Sequence, residues 1–308
     1  MCCLFGLIDY QNHFTQKQKN KIISILSAAC EARGTDATGI AYNSDNHLRI
    51  YKRPFAAHKM RFAIPDNVMT IMGHTRMTTQ GNEMLNYNNH PFFGRASNTD
   101  FALAHNGVLY NDSTLRITEK LPETKIETDS YIAVQLLEKK RVLDFDSLSY
   151  MAKRLAGSFT ITVMDREDNI YFIKGDNPMC IYHCPDIGVY IYASTEEILK
   201  KAIKKIPYRF GAAVKVDLTC GEIMKIDRHG DMKTVMFDTE LLYACNYYPY
   251  SFDYHHSAKS RSPQTKEYIH ELKKYANFYG YNDDIVDMLL EDGYSTDEIE
   301  DMLYCSIC

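Results

Sequence analysis

The first nine residues read Met-Cys-Cys-Leu-Phe-Gly-Leu-Ile-Asp (residues 1–9) and contain two signals. Leu4 to Ile8 form a short apolar run, which predicts a buried strand. Cys2 follows the initiator methionine, and its small side chain permits removal of Met1, which would make Cys2 the amino terminus. An α-amine has a pKa of about 7.7–8.0 and a thiol one of about 8.5, so one residue would hold both a base and a nucleophile. Taken alone, an incidental early cysteine is the simpler interpretation.

Outward from this strand, the chain combines few helices with many strands. Lys17 to Ala32 place apolar residues at helical spacing, which predicts an amphipathic helix that stops at Gly34. Strands are predicted at 37–43, 48–52, 68–75, 101–104, 158–164, 170–174, 179–183, 189–193, 213–217, 223–226 and 235–237. Several of these strands follow one another as hairpins would. The pattern favours a layered α+β sandwich over a doubly wound parallel sheet.

Polar segments separate several of these elements. Met77 to Asn98 are rich in turn-forming residues and are predicted to form one long loop. His105-Asn106-Gly107 is predicted to end the strand that starts at Phe101. Thr128-Asp129-Ser130 is predicted to cap a helix that runs from Tyr131 to Lys139.

Length, charge and cysteine usage limit the class of protein. The 308 residues fit one large or two smaller domains, and 45% hydrophobic residues suffice for a core. The net charge of -5 argues against a general nucleic-acid binder. No apolar run approaches the roughly 20 residues of a membrane helix. The nine cysteines are scattered and odd in number, so we expect them to be reduced and the protein to be cytoplasmic.

Three polar segments contain groups that fit one kind of ligand. Arg76, at a predicted strand end, can hold a carboxylate with two hydrogen bonds. Asn106 and Gly107 offer adjacent amide donors for a developing oxyanion. Asp129 can hold a cationic amine, although on sequence alone a helix cap is the simpler role for it. Together with a thiol, these groups fit glutamine, which has an α-carboxylate, an α-ammonium group and a scissile carboxamide.

The same blocks resemble class II glutamine amidotransferases, in the order in which that family has them. The matching segments are Met1-Cys2 with Phe5-Gly6, 33–40, 73–76, 88–92, 105–107, 127–130, 178–179, 193–195 and 221–223. Each segment is weak evidence, but the ordered set spans residues 2 to 237 and is specific. The resemblance implies a four-layer αββα sandwich of the N-terminal nucleophile (Ntn) hydrolase type. It also implies release of ammonia from L-glutamine.

The resemblance assigns a role to each residue of the site. Cys2 would be the nucleophile and its own α-amine the base, while Asn106 and Gly107 would form the oxyanion hole. The substrate would be bound by Arg76, Met77, Thr79, Gly107 and Asp129. Arg33 and Asp36 would anchor the loop near Cys2. The chemistry requires no metal and no organic cofactor, and we expect none.

The chain departs from the family in two respects. Cys3 replaces the usual glycine, and its thiol could crowd the site or form a disulfide there. The predicted glutaminase domain (residues 2–240) is followed by a linker (241–263) and an acidic helical tail (264–308), with no room for a synthase. We therefore expect a separate ammonia-accepting synthase. The tail is either a docking module or a solvated cap, and the pairs His255-His256 and Cys305-Cys308 are weak metal-site candidates.

Three alternatives remain open at this stage, and one of them is a stand-alone glutaminase that supplies no acceptor enzyme. Another Ntn-type amidase would also begin with Met-Cys, but it would not need the Arg76 and Asp129 pair. A non-catalytic regulatory or binding protein could keep the glutaminase fold without turnover.

Overall fold

A computed structural model describes residues 2–242 and, in the C-terminal part, residues 269, 272–274, 276–277, 282, 284–291 and 299. The strands are β1 (Cys3–Asp9), β2 (Ala37–Ser44), β3 (His47–Arg53), β4 (Thr70–Arg76), β5 (Phe92–Arg95), β6 (Asp100–Leu109), β7 (Gly157–Asp165), β8 (Ile170–Lys174), β9 (Cys180–Cys184), β10 (Val189–Ala193), β11 (Val214–Val216), β12 (Glu222–Ile226) and β13 (Met232–Met236). The α-helices are α1 (Gln16–Cys30), α2 (Asp112–Thr118), α3 (Tyr131–Lys140), α4 (Phe145–Ala152), α5 (Glu196–Lys205) and α6 (Asp284–Glu291).

The strands form two antiparallel sheets. One sheet has seven strands in the order β11-β9-β10-β1-β4-β2-β3, so β1 lies at its centre between β10 and β4. The other has six strands in the order β13-β12-β8-β7-β6-β5. The short apolar run at the start of the chain is therefore buried on both faces, as its composition predicts.

Three apolar clusters define four layers. Helices α1 and α5 pack on the outer face of the seven-stranded sheet, where Phe5, Leu26 and Leu199 share one cluster. Leu4 and Tyr192 belong to a second cluster between the two sheets. In the third cluster α3 and α4 cover the six-stranded sheet, and its members include Leu103, Leu136 and Leu148. The predicted four-layer αββα sandwich is confirmed.

Side chains along β1 alternate between these layers, because successive residues of a strand point to opposite faces. Cys3, Phe5 and Leu7 face the helices, whereas Leu4 and Ile8 face the second sheet. Cys3 is fully buried in the helix-side cluster together with Cys30. Its side chain therefore lies on the helix side of β1.

The predicted end of α1 at Ala32 and its stop at Gly34 are wrong. The helix begins with a capping box, in which Thr15 and Gln18 exchange side-chain and backbone hydrogen bonds, and it ends at Cys30. Gly34 instead lies against the Arg76–Met77 backbone. A Cβ on Gly34 would come within 2.5 Å of the Arg76 carbonyl carbon, so glycine allows two chain segments to approach closely.

Three further predictions are corrected by strand pairing and capping geometry. The predicted loop from Met77 to Asn98 contains a 3₁₀ turn at Asn86–Asn88 and the edge strand β5, which pairs with β6. The His105-Asn106-Gly107 segment lies inside β6, which continues to Leu109 against β7. Thr128-Asp129-Ser130 does not cap α3 through a side chain. Local composition does not indicate β5, the full length of β6 or the uncapped start of α3, because each depends on contacts with distant parts of the chain.

Clustering of contacts divides the chain into two units, residues 1–249 and 250–308. The second unit contains α6, and Leu272, Ala276, Val286 and Ile299 form a buried cluster there. Most of the predicted linker, His255-His256 and Cys305-Cys308 lie outside the described residues. The domain boundaries therefore stay a prediction. Across the described ranges, no helix is long and apolar enough to cross a membrane.

Candidate active site

One small pocket brings most of the predicted site residues together. Its lining includes Cys2, Arg76, Met77, Thr79, Gly107 and Asp129. The remaining lining residues are Gln80, His90, His105, Thr128 and Ser130. These residues come from the start of β1, from the end of β4 and the loop after it, from the segment before β5, from β6 and from the segment before α3. Positions that are more than a hundred residues apart in the sequence thus converge at the start of the chain.

Cys2 is held at this pocket by its neighbours. Its sulfur lies 3.4 Å from both the backbone nitrogen and the backbone oxygen of Met77. Arg33 donates from Nε to the Cys2 carbonyl oxygen at 2.8 Å. Burial raises the pKa of the Cys2 thiol, and the charges of Arg76 and Arg33 oppose this increase. The resting thiol therefore stays protonated and needs a base.

The loop beside Cys2 is tied to β4 as predicted. Asp36 accepts a hydrogen bond from the Thr78 backbone at 2.7 Å, and its own backbone nitrogen donates to the Arg76 carbonyl at 3.0 Å. With the contact from Arg33 to Cys2, these bonds match the anchoring role expected of Arg33 and Asp36.

Arg76 is a buried cation at the end of β4, with 3% of its surface exposed. It donates to Asn89 Oδ1 at 2.7 Å and to the carbonyl oxygens of Gln80 and Gly81 at 2.5 and 3.2 Å. Burial lowers the pKa of Arg76, and the charges of Glu83, Asp36 and Asp129 oppose this shift. Among the residues that the structure describes, no carboxylate forms an ion pair with Arg76. A buried guanidinium of this kind favours an incoming anion.

Asp129 also lines the pocket, and 4% of its surface is exposed. Oδ2 accepts from the Leu109 backbone at 2.7 Å, and Oδ1 accepts from the backbone and hydroxyl of Ser130 at 2.7 and 3.1 Å. The carboxylate thus joins the end of β6 to the segment before α3. It has a fixed orientation and can still accept a hydrogen bond from a cation.

The two predicted oxyanion residues lie differently with respect to the pocket. Gly107 lines it and has φ +140°, and a Cβ there would come within 1.8 Å of the Ser158 carbonyl oxygen. Asn106 is buried but does not belong to the lining, and its Nδ2 lies 3.3 Å from Ser194 Oγ. The structure therefore places the Gly107 backbone in the pocket, with the Asn106 amide next to it on β6.

Three buried histidines lie at the pocket: His90 and His105 line it, and His74 packs against His90. The sequence analysis assigned a role to none of them. His74 and His90 are 4.2 Å apart between ring centroids, and His74 Nε2 lies 3.0 Å from the His105 carbonyl oxygen. Burial lowers the pKa of His74 to about 3 and lowers the pKa of His90 and His105. The three imidazoles are therefore neutral near pH 7.

Thr128 is also a lining residue that sequence reasoning did not assign. It is 2% exposed, and its hydroxyl has no hydrogen-bond partner within the described part of the chain. Its place in the Glu127-Thr128-Asp129-Ser130 block was the available signal. Among all the residues that the structure describes, no group of three or more His, Cys, Asp or Glu side chains could hold a metal ion.

Comparison with known proteins identifies similar sequences among glutamine-dependent enzymes. Residues 74–201 match the family described as "glutamine amidotransferase domain". Glutamine–fructose-6-phosphate aminotransferase of Sulfurisphaera tokodaii is 32% identical over 192 residues, which are 59% of this chain and 31% of that protein. The Staphylococcus epidermidis enzyme of the same name is 30% identical over 193 residues, 59% of this chain and 30% of that protein. The chain thus spans about a third of the length of these relatives.

Solved structures agree in fold. The glutamine phosphoribosylpyrophosphate amidotransferase of B. subtilis matches with a TM-score of 0.59 and 20% identity, over 78% of this chain and 50% of that one. A structure described as the allosteric regulatory enzyme of purine biosynthesis matches with a TM-score of 0.61 and 19% identity, over 90% of this chain and 58% of that one. The expected Ntn-type architecture and the resemblance stated from the motifs are confirmed.

Proposed function

Because residues 74–201 belong to the glutamine amidotransferase domain family, we propose that the chain hydrolyses the side-chain amide of L-glutamine through a thioester on Cys2. The convergence of Cys2, Arg76, Gly107 and Asp129 on one pocket is the observation that supports this proposal. A thiol, an anion site, a cation site and an amide donor are the groups that this substrate and reaction require.

Arg76 and Asp129 select the substrate in this proposal. The α-carboxylate of glutamine binds to the buried Arg76 guanidinium, which has no ion-pair partner among the described residues. The α-ammonium group binds to Asp129, whose two oxygens are already oriented by Leu109 and Ser130. The exposed Met77 and Thr79 line the outer side of the pocket. The carboxamide then points towards Cys2.

The chemistry is acyl transfer with Cys2 as nucleophile. After removal of Met1, the α-amine of Cys2 takes the thiol proton, and the sulfur attacks the carboxamide carbon. The Gly107 N–H and the Asn106 amide stabilise the oxyanion. Ammonia leaves with a proton relayed by the α-amine, and water hydrolyses the thioester to glutamate. Loss of one oxyanion donor should lower kcat by about 10²–10³.

Glutamine binding requires the pocket to open. The free volume inside it is about 10 Å³, roughly the room that one water molecule needs. The Met77 backbone also covers the Cys2 sulfur on the side of the loop. The segment that starts at Met77 therefore moves away before glutamine enters and closes again around it, which keeps bulk water from the thioester.

The proposal extends to the use of the ammonia. The names of the relatives join glutamine to an acceptor, fructose 6-phosphate. We propose that a separate acceptor enzyme takes the ammonia that this chain releases. Purification of the tagged chain, followed by identification of the untagged proteins that co-purify with it, tests this part of the proposal.

A labelling and turnover experiment tests the glutaminase itself. The protein is incubated with a diazo-ketone analogue of glutamine, and ammonia release is measured with glutamine and with simple acyl amides. We expect one adduct on Cys2, turnover of glutamine alone, and loss of both in Cys2→Ala and in a form that retains Met1. Labelling of Cys3, or turnover of acyl amides instead of glutamine, would reject the proposal in favour of another amidase. A protein that keeps Met1 and shows no turnover would be a binding protein.

A further inference from the structure

Ser194 joins the strand of the nucleophile to the oxyanion residue. It follows β10 directly and is fully buried. Its Oγ accepts a hydrogen bond from the Leu4 backbone at 2.8 Å, two residues after Cys2. The same oxygen lies 3.3 Å from Asn106 Nδ2 on β6. One hydroxyl therefore connects the seven-stranded sheet to the six-stranded sheet at the level of the active site.

Strand alternation explains why Ser194 reaches across. Ala193 pairs with Phe5, and both side chains lie in the helix-side cluster. The next residue of a strand points to the opposite face, so Ser194 is directed between the sheets. On β6, Ala102 and Ala104 belong to the inter-sheet cluster, and Asn106 continues that row of side chains. Ser194 and Asn106 thus meet because two strands of different sheets present the same face.

The hydrogen-bonding capacity of the two side chains explains how this contact orients the Asn106 amide. A serine hydroxyl can accept two hydrogen bonds and donate one, and an amide has two N–H donors and one acceptor oxygen. Asn106 Oδ1 is buried without a partner among the described residues. Exchanging the two amide atoms would let Ser194 donate to Oδ1 and would leave both N–H groups of Asn106 unpaired. In either orientation the contact with Ser194 fixes the plane of the amide and leaves an N–H donor for an anion.

We propose that Ser194 is a positioning residue for the oxyanion hole. It fixes the Asn106 amide relative to the strand that carries Cys2, so the donor is already oriented when the oxyanion forms. This inference rests on the proposed glutaminase function. Ser194 does not touch the substrate, and its removal acts on kcat through Asn106.

The experiment compares Ser194→Ala with Ser27→Ala, which removes another fully buried serine hydroxyl, in α1. Glutamine turnover and alkylation of Cys2 by iodoacetamide are measured in each, because alkylation needs the thiol but no oxyanion hole. We expect Ser194→Ala to lower kcat about 10- to 100-fold, with KM and the alkylation rate unchanged. Ser27→Ala should keep the kcat of the wild type. Ser194→Thr, which keeps a hydroxyl, should recover most of kcat.

A double-mutant cycle separates positioning from a general loss of structure. In an Asn106→Ala background, adding Ser194→Ala should lower kcat no further, because the amide that Ser194 orients is gone. An equal loss in both backgrounds, a change in KM alone, or slower alkylation of Cys2 would overturn the inference. If Ser194→Ala does not fold, Ser194→Cys keeps the volume with a weak hydrogen-bonding group and replaces it in the cycle. A wild-type protein that releases no ammonia would overturn the proposed function as well, whereas an active wild type matched by Ser194→Ala would overturn this inference alone.

Discussion

The sulfur of Cys2 lies at 3.4 Å from both the nitrogen and the oxygen of the Met77 backbone. The first residue of the site is therefore covered by the residue that follows β4, and Gly34 makes room for that backbone. In the proposed reaction, the loop that opens for glutamine is therefore also the loop that covers the Cys2 sulfur.

The alkylation of Cys2 should depend steeply on pH. Burial raises the pKa of this thiol above its ordinary value, so the thiolate fraction is small at pH 7. We expect the rate of alkylation by iodoacetamide to be still rising at pH 9. Mass spectrometry measures this rate for Cys2, with the similarly half-buried Cys220 in the same sample as the reference. A plateau below about pH 7.5 would contradict the buried, protonated thiol.

Asp129→Asn should weaken recognition of the α-ammonium group. A hydrogen bond to a charged group contributes about 1.5–3 kcal/mol, which corresponds to roughly 10- to 100-fold in affinity. We expect KM for glutamine to rise by that factor. For glutaramate, which is glutamine without the α-ammonium group, KM should change little. Equal losses for both substrates would show that Asp129 only supports the end of β6, through its bond to Leu109.

Gly107→Ala should destabilise the fold far more than an alanine at a comparable glycine. At Gly107 the φ is +140° and the added Cβ would meet Ser158 at 1.8 Å, so the paired strands β6 and β7 would have to separate. We expect a loss of more than about 3 kcal/mol in urea unfolding. Gly211→Ala is the matched control, since φ is +70° and the nearest atom is Asp186 Oδ2 at 3.4 Å. The control should lose only about 1 kcal/mol, and similar losses would refute the steric argument.

His74 should make the protein less stable as the pH falls from 6.5 towards 3. Its pKa is about 3 in the folded protein because of burial, whereas an unfolded histidine titrates near about 6.5. In this window the unfolded state binds the extra proton, so the free energy of unfolding decreases with decreasing pH. One such histidine contributes up to about 1.4 kcal/mol per pH unit.

His74→Gln provides the comparison for this pH dependence. Glutamine can still donate to the His105 carbonyl but does not titrate. Urea unfolding at pH 6.5 and 4.5 should therefore show a smaller decrease in the variant than in the wild type. Parallel pH profiles would mean that His74 binds no extra proton on unfolding.

Much of the architecture was predictable from local patterns. The apolar run in β1, the helical spacing in α1 and the succession of hairpin-like strands depend on near neighbours, and they indicated a layered α+β sandwich correctly. The edge strand β5 was missed because its pairing with β6 lies outside any local window. The role of Gly34 was predicted wrongly because a glycine is needed there to let the Arg76–Met77 backbone approach, and that backbone is more than forty residues away in the sequence.

The chemical groups of the site could be read directly from the sequence: a cysteine after the initiator methionine, an arginine at a strand end, an amide next to a glycine and an acidic residue. Residue types and their order fix which chemical groups are available, because each group belongs to a side chain or a backbone amide. Which of these groups meet depends on how the chain folds. In the fold, Asp129 lines the pocket and does not cap a helix, Cys3 lies in the helix layer, and Ser194 contacts Asn106. These contacts depend on sheet pairing and on the face that each strand presents, which long-range packing sets.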